Sequence, residues 1–124
     1  MIDFNNAAFF KLSQVKNDTF ASLLTPIFQS GEEIISSYKG VRDGVVFTNK
    51  RIIAINVQGV TGKKKDITSM PYSKIQVFSV ETAGVFDLDS ELEIWFSGVG
   101  CVRFEFLGNA GITDICRTIS NFVL

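Results

Sequence analysis

The stretch that decides the fold is residues 90–124, SELEIWFSGVGCVRFEFLGNAGITDICRTISNFVL. Its first half alternates apolar and polar residues, as half-buried strands do, and it turns near Gly98 and Gly100. After Gly108 the spacing becomes that of an amphipathic helix, with an apolar stripe of Ile112, Ile115, Cys116, Ile119, Phe122 and Val123. A hairpin that leads into a one-sided helix predicts a sheet or open barrel with one end covered by the helix.

The hairpin also has a predicted register. A loop centred on Val99 places three apolar pairs on one side: Phe96 with Val102, Ile94 with Phe104, and Leu92 with Phe106. On the other side Trp95 faces Arg103 in a cation–π contact, and Glu93 faces Glu105. A shift by one residue would turn every ring toward water, so we expect the register to be well fixed.

Five more segments between residues 32 and 82 have strand character. They are short, rich in β-branched and aromatic residues, and separated by glycine, asparagine or aspartate: EEIISSYKGVR, GVVFT, RIIAINVQG, KKKDITSM and SKIQVFSVET. Asp43-Gly44 and Thr48-Asn49 are typical tight-turn dipeptides. Together with the C-terminal hairpin this makes about seven strands, which predicts an antiparallel sandwich or barrel.

Residues 1–30 have a different pattern. Phe20, Leu23, Leu24, Ile27 and Phe28 recur at helical spacing, with Pro26 expected to bend or end the helix. Upstream, the apolar residues between Ala7 and Leu12 could form a second short helix or an arm. We therefore predict a helical N-terminal arm over residues 1–30 and a mainly β domain over residues 31–124, with its C-terminal helix at about residues 109–124.

Composition excludes several classes of function. The chain of 124 residues is long enough for one domain with a real core, and it contains no histidine, the commonest general base and zinc ligand. Neither a membrane-spanning run nor a signal peptide is recognisable, so we expect a cytoplasmic protein. The only two cysteines, Cys101 and Cys116, are expected to be buried free thiols.

No motif points to an enzyme or a cofactor. Asp87, Asp89 and Glu91 begin like a calcium loop, but the places that need glycine and glutamate hold Leu92 and Gly98. A solvated turn is the better interpretation. Thr48, Asn49, Lys50 and Arg51 are interpreted as a turn with exposed tips, and no nucleophile is placed beside a base. We expect no catalytic activity, no cofactor and no metal.

Charge is divided between two blocks. Residues 39–74 carry eight basic and two acidic side chains, a balance of +6, whereas residues 75–108 carry six acidic and one basic, a balance of −5. Because the whole chain has a formal charge of only −1, binding to nucleic acid is not expected. Opposite blocks on one chain favour attraction between copies at least as much as attraction to a polyanion.

Two segments carry a family resemblance, residues 38–65 (YKGVRDGVVFTNKRIIAINVQGVTGKKK) and residues 71–95 (PYSKIQVFSVETAGVFDLDSELEIW). They resemble the bacterial pleckstrin-homology (PH) family, most specifically in residues 46–51, 58–63 and 79–88. The resemblance covers nearly the whole chain. It implies a PH-like barrel of about seven antiparallel strands capped by one C-terminal α-helix, no catalysis, and assembly into ring-shaped homo-oligomers. It implies no known ligand.

Three functional hypotheses follow. The first is a homo-oligomeric assembly or protein-interaction module, in which a basic face of one copy meets an acidic counter-face of Asp87, Asp89 and Glu91 in the next. The basic face consists of Lys39, Arg42, Lys50, Arg51, Lys63, Lys64 and Lys65. The alternative is weak peripheral binding of anionic lipid headgroups through Lys39, Arg42 and the lysine run. The third is a partner peptide held at an exposed strand edge or in a groove beside the closing helix.

Overall fold

The structure is a computed structural model, and it describes residues 1–108 and 110–124. Within those residues the chain forms eight strands and two α-helices. The strands are β1 Ala7–Val15, β2 Ile34–Lys39, β3 Asp43–Thr48, β4 Arg51–Gln58, β5 Lys64–Pro71, β6 Ile75–Glu81, β7 Ser90–Phe96 and β8 Gly100–Phe106. The helices are α1 Ala21–Leu24 and α2 Ile112–Val123, and single 3₁₀ turns lie at Asn17–Phe20, Thr25–Ile27 and Tyr72–Lys74.

The strands form one sheet in the order β5-β4-β3-β2-β1-β8-β7-β6. The two edge strands, β5 and β6, are consecutive in the chain and are joined only by the turn Tyr72–Lys74. A sheet whose edges are joined by so short a connection must curl back on itself, so the sheet is an open barrel with a seam between β5 and β6. The seven predicted strands and the PH-like architecture are confirmed.

The eighth strand, β1, corrects the prediction of a helical arm over residues 1–30. β1 lies in the middle of the sheet, antiparallel to β2 and parallel to β8. Its register shifts between Phe9 and Leu12, where Lys11 has a left-handed backbone with φ of 54°. This bulge breaks the alternation of apolar residues and hides the strand in the sequence. Helical turns occupy only residues 17–27.

Two apolar clusters stabilise the sheet. The barrel core lies inside the curl and includes Phe9, Leu12, Tyr38, Phe47, Phe104 and Phe106. The outer cluster consists of Leu24 with Val46, Ile53 and Ile55, and Phe20, Leu23 and Phe28 pack against it. The helical turns of residues 17–27 thus cover the outer face of β3 and β4. This explains why both strands are apolar on both sides.

The outer cluster also corrects the predicted turn at Asp43-Gly44. The turn spans residues 40–42, and Gly44 lies within β3 beneath the ring of Phe20. A Cβ atom at position 44 would stand 2.5 Å from Cζ of Phe20. The glycine is therefore required by the close approach of the ring rather than by a turn conformation.

Helix α2 covers the barrel with the predicted stripe, and Ile115 and Ile119 are buried. The helix was expected to start near residue 109, which lies outside the described residues; the observed helix begins at Ile112. The ring of Phe122 stacks on Tyr72 of the seam at 4.9 Å between centroids. Both cysteines are free thiols, but Cys101 and Cys116 are half-buried rather than buried as predicted.

The register of the β7–β8 hairpin differs from the prediction by two residues. Leu92 pairs with Phe104 and Ile94 with Val102, because the loop is centred on Gly98, whose φ of 74° suits glycine. A two-residue slide keeps every side chain on its predicted face. It changes the polar pairs, since Glu93 now lies opposite Arg103, at 3.5 Å from its guanidinium, and Trp95 lies opposite Cys101.

Candidate functional site

The predicted basic face is divided between two ends of the sheet. At one end Arg42 donates a hydrogen bond to the carbonyl of Gly59 and accepts one from the Val57 N–H at 2.8 Å. These bonds hold the β2–β3 turn against the β4–β5 loop, which places Lys39 and Arg42 near the lysine run. Lys50 and Arg51 lie at the other end of β4, about 20 Å away at the rise of a strand.

At the first end, Lys39 and Lys65 line a common cleft of about 420 Å³. Its other lining residues are Thr19, Phe20, Ser22, Leu23 and Val57. Side chains alternate along a strand, so Lys64 points to the opposite face of β5 from Lys65. The cleft offers two ammonium groups and two hydroxyls above apolar walls. Such a site suits an anionic group attached to an apolar portion.

Arg51 is not an exposed tip, as the sequence suggested. Its guanidinium forms a two-pronged ion pair with Glu32, with both N–O distances at 2.9 Å, and the Glu32 side chain is fully buried. It also donates to Oγ of Ser69 and to the carbonyl of Ile27, each at 3.0 Å. Arg51 therefore joins β4 to β5 and to the helical turns, and it is not available as a ligand for an external anion.

Glu32 is the centre of this buried cluster. Besides Arg51, its carboxylate accepts hydrogen bonds from Oγ1 of Thr48 at 2.8 Å and from the N–H of Gln29 at 3.0 Å. Burial on its own raises the pKa of Glu32, but the hydrogen bonds from Arg51, Gln29 and Thr48 and the charge of Arg51 outweigh it. The pKa of Glu32 consequently lies below its ordinary value.

Tyr72 ties the same cluster to the seam. Its hydroxyl donates to the carbonyl of Thr48 at 2.7 Å. Burial and the nearby charge of Glu32 raise the pKa of Tyr72. Sequence reasoning missed this cluster because Glu32 lies 19 residues before Arg51 and no local spacing links them. The cluster stabilises the fold and carries no open position for a ligand.

The acidic counter-face continues into a row of three glutamates. Glu81 of β6 pairs with Glu91 of β7, which in turn pairs with Glu105 of β8. Directly opposed like charges destabilise a sheet by a few tenths of a kcal/mol or more per pair. In the part of the chain that the structure describes, no lysine or arginine forms an ion pair with this glutamate row. The sequence predicted carboxylates here but not their alignment.

The β6–β7 loop, residues 82–89, extends beyond the glutamate row. The N–H of Gly84 donates to the carbonyl of Asp87 at 2.6 Å, and Oδ1 of Asp87 accepts from the N–H of Asp89 at 3.1 Å. The loop thus bends sharply at residues 85–86, with Val85 and Phe86 at its tip. Phe86 is fully exposed and Val85 is 86% exposed. Turn tips usually carry glycine, asparagine or proline, so two exposed apolar residues here are unusual.

An apolar groove of about 520 Å³ lies at the seam between β5 and β6. Its apolar lining includes Phe4, Met70, Ile75, Phe96 and Val99, and Lys74 is its only charged lining residue. No α2 residue lines it, so this groove is not the one expected beside the closing helix. Phe4 is held at its edge because the N–H of Cys101 donates to the Phe4 carbonyl at 3.0 Å.

Residues 1–108 and 110–124 contain neither a helix able to span a membrane nor a cluster of metal-binding side chains. None of the helices formed by these residues has the length and apolar character needed to cross a membrane. Nor do they bring together three or more cysteine, aspartate or glutamate side chains that could hold a metal ion.

The curled sheet and the capping helix define a PH-like domain, a module of the interaction or binding kind. The family model described as "Bacterial PH domain" matches residues 3–123. The chain therefore belongs to the bacterial PH domain family.

Relatives agree with this family. The chain is 48% identical over 99 residues to the uncharacterized protein YjqA of Bacillus subtilis (strain 168), covering 78% of this chain and 79% of that protein. It is 40% identical over 78 residues to the uncharacterized protein YozO of the same organism, covering 63% and 68% of the two chains.

Solved structures show the same fold. A crystal structure of a DUF1696 family protein with a pleckstrin-homology domain from Shewanella loihica PV-4 matches with a TM-score of 0.81 and 43% identity, over 92% of this chain and 98% of that chain. A pleckstrin homology domain from Shewanella amazonensis SB2B matches with a TM-score of 0.69 and 44% identity, over 90% and 91%.

Proposed function

We propose that this protein is a non-catalytic, cytoplasmic assembly module that forms a homo-oligomer by head-to-tail contacts and presents the assembled surface to protein partners. The observation that carries the proposal is the glutamate row Glu81–Glu91–Glu105. Three aligned carboxylates cost the isolated subunit stability, and a basic surface of a neighbouring copy would remove that cost.

Exposed cations for such a contact exist on the same chain. One group is the lysine run Lys63, Lys64 and Lys65, and the other is the pair Lys50 and Lys74 near the seam. Within the described chain neither group forms an ion pair. In the proposed assembly the acidic group of each copy meets a basic group of the next copy, which is a heterologous contact, and it closes into a ring where the rotation between neighbours allows.

Mass by light scattering, measured across the micromolar range, tests assembly. The native protein is expected to have the mass of an oligomer that dissociates as salt rises from 50 to 500 mM. A variant with Glu81, Glu91 and Glu105 changed to glutamine should have a smaller mass, although its subunit should be no less stable. Lys16→Glu, an exposed lysine outside both groups, serves as the control and should leave the mass unchanged. A monomer mass for the native protein at every concentration would refute assembly.

The cleft shared by Lys39 and Lys65 supports a second candidate, peripheral binding of anionic lipid headgroups. Co-sedimentation with vesicles that contain anionic lipid, compared with neutral vesicles, tests it at low salt. Lys39→Glu or Lys65→Glu should abolish sedimentation, whereas Lys63→Glu, a charge change outside the cleft lining, should reduce it only slightly. Equal losses for all three variants would indicate general electrostatic attraction and no use of the cleft.

A further inference from the structure

The exposed tip of the β6–β7 loop and the seam groove are both apolar, and the charged residues around them are of opposite sign. The tip offers a phenyl ring and a valine on a bend whose two sides are joined by the Gly84–Asp87 hydrogen bond. The groove of about 520 Å³ has a mostly apolar lining and is large enough to take both side chains. Contiguous exposed apolar groups with polar surroundings mark interaction sites more often than isolated ones do.

The charged residues around the loop and the groove also favour insertion of the loop tip into the groove. Residues 81–91 contain four carboxylates and no basic residue. The groove lining contains Lys74 and no carboxylate. Lys50 lies next to Arg51, whose strand partner Pro71 belongs to the lining. A loop entering the groove would therefore bring its carboxylates toward two exposed ammonium groups.

The geometry excludes closure within one subunit. The groove lies beside Ile75 and Phe96, and the loop connects Glu81 to Ser90, so the two features lie at opposite ends of the β6–β7 hairpin. Each strand has seven residues, which corresponds to about 20 Å. The loop cannot bend back across that distance, so a loop that enters the groove has to come from another copy.

We propose that Phe86 and Val85 of one copy insert into the seam groove of the next, with Lys50 and Lys74 at the rim facing the acidic loop. This inference rests on the proposed assembly and names its contact. The interface is directional, since each subunit contributes a loop at one end of the hairpin and a groove at the other. Buried aromatic residues dominate such interfaces, so Phe86 carries most of the affinity.

Two variants test the contact from its two sides by light scattering, with far-UV circular dichroism to verify folding. Phe86→Ser removes the inserted ring, and Val99→Glu places a carboxylate at the half-exposed mouth of the groove. Each should weaken association at least about thirtyfold. Val85→Ser should weaken it less. Val60→Ser is the matched control, because Val60 is a fully exposed loop valine outside the groove, and it should have no effect.

Mixing the two variants gives the sharpest result. The Phe86→Ser copy keeps an intact groove and the Val99→Glu copy keeps an intact loop, so an equimolar mixture should form a dimer and nothing larger. A native oligomer whose mass is unchanged in both variants would overturn the inference while leaving assembly intact. Sensitivity to only one of the two variants would also overturn it, because the loop or the groove would then have a different partner. A monomeric native protein would refute assembly itself.

Discussion

Replacing Glu32 by glutamine tests the buried cluster that links β3, β4 and β5. The glutamine keeps the shape of the side chain, but only its oxygen can accept hydrogen bonds. The native carboxylate accepts four, two of them from Arg51. The variant therefore leaves a guanidinium without its counter-charge and about half of the bonds unmade. Breaking one partner of a buried pair typically costs about 3–5 kcal/mol.

The lower end of that range applies here. The Arg51 side chain is 17% exposed, so water can reach it, and its bonds to Ser69 and Ile27 remain. We expect Glu32→Gln to reduce the free energy of unfolding by about 3 kcal/mol at pH 7. With a urea m-value of about 2 kcal/mol/M, the midpoint falls by about 1.5 M at constant protein concentration.

The control is Glu33→Gln, an exposed neighbour whose carboxylate contributes nothing to the cluster. It should change stability by less than about 0.5 kcal/mol. Lowering the pH gives a second test of the contribution of Glu32 to stability. The folded pKa of Glu32 is below its ordinary value of 4.5, so the stabilisation by its carboxylate is complete above that pH and is lost as the pH falls through the folded pKa. The difference between native protein and Glu32→Gln should therefore narrow below about pH 4.5. Equal midpoints for the two glutamine variants at pH 7 would refute the reasoning.

Two further predictions concern packing and register. Gly44→Ala should lower the free energy of unfolding by about 1–3 kcal/mol, because its methyl group would collide with the ring of Phe20. The loss should be smaller when Phe20 is also changed to alanine, and additive losses in urea unfolding would contradict this. In the Trp95→Cys variant the new cysteine should form a disulfide with Cys101 under oxidation, since directly opposed residues have Cα atoms about 4.5–5.5 Å apart. Glu93→Cys is the control and should form none. Free thiols in both variants by mass spectrometry would contradict the register.

Much of the fold could be predicted because its strands and α2 have local signals. The apolar alternation of β7 and β8 and the stripe of α2 do not depend on distant residues. The predicted β7–β8 register was wrong because the sequence has two glycines, Gly98 and Gly100, at which the turn could be centred. Both glycines have a positive φ, 74° at Gly98 and 136° at Gly100, and at Gly100 a Cβ atom would also lie 2.5 Å from the Phe4 carbonyl oxygen.

The candidate site was less predictable because its parts meet only in three dimensions. Composition identified the acidic and basic blocks, but not which lysines share a cleft. Arg51 resembled an exposed cation because its partner Glu32 is distant in sequence. The exposure of Phe86 was also hidden, since a chain with twelve phenylalanines gives no local sign of which ring is left outside the core.

The central position of β1 has a consequence for how the chain folds. Residues 7–15 can pair with β2 early, but their other partner is β8, some ninety residues later in the chain. Until β8 is present, the sheet consists of two unjoined parts, β1–β5 and β6–β7, with open edges at β1 and β7. Long-range pairing of this kind slows folding and exposes strand edges during it. We therefore expect the rate-limiting step to be the docking of β8 onto β1.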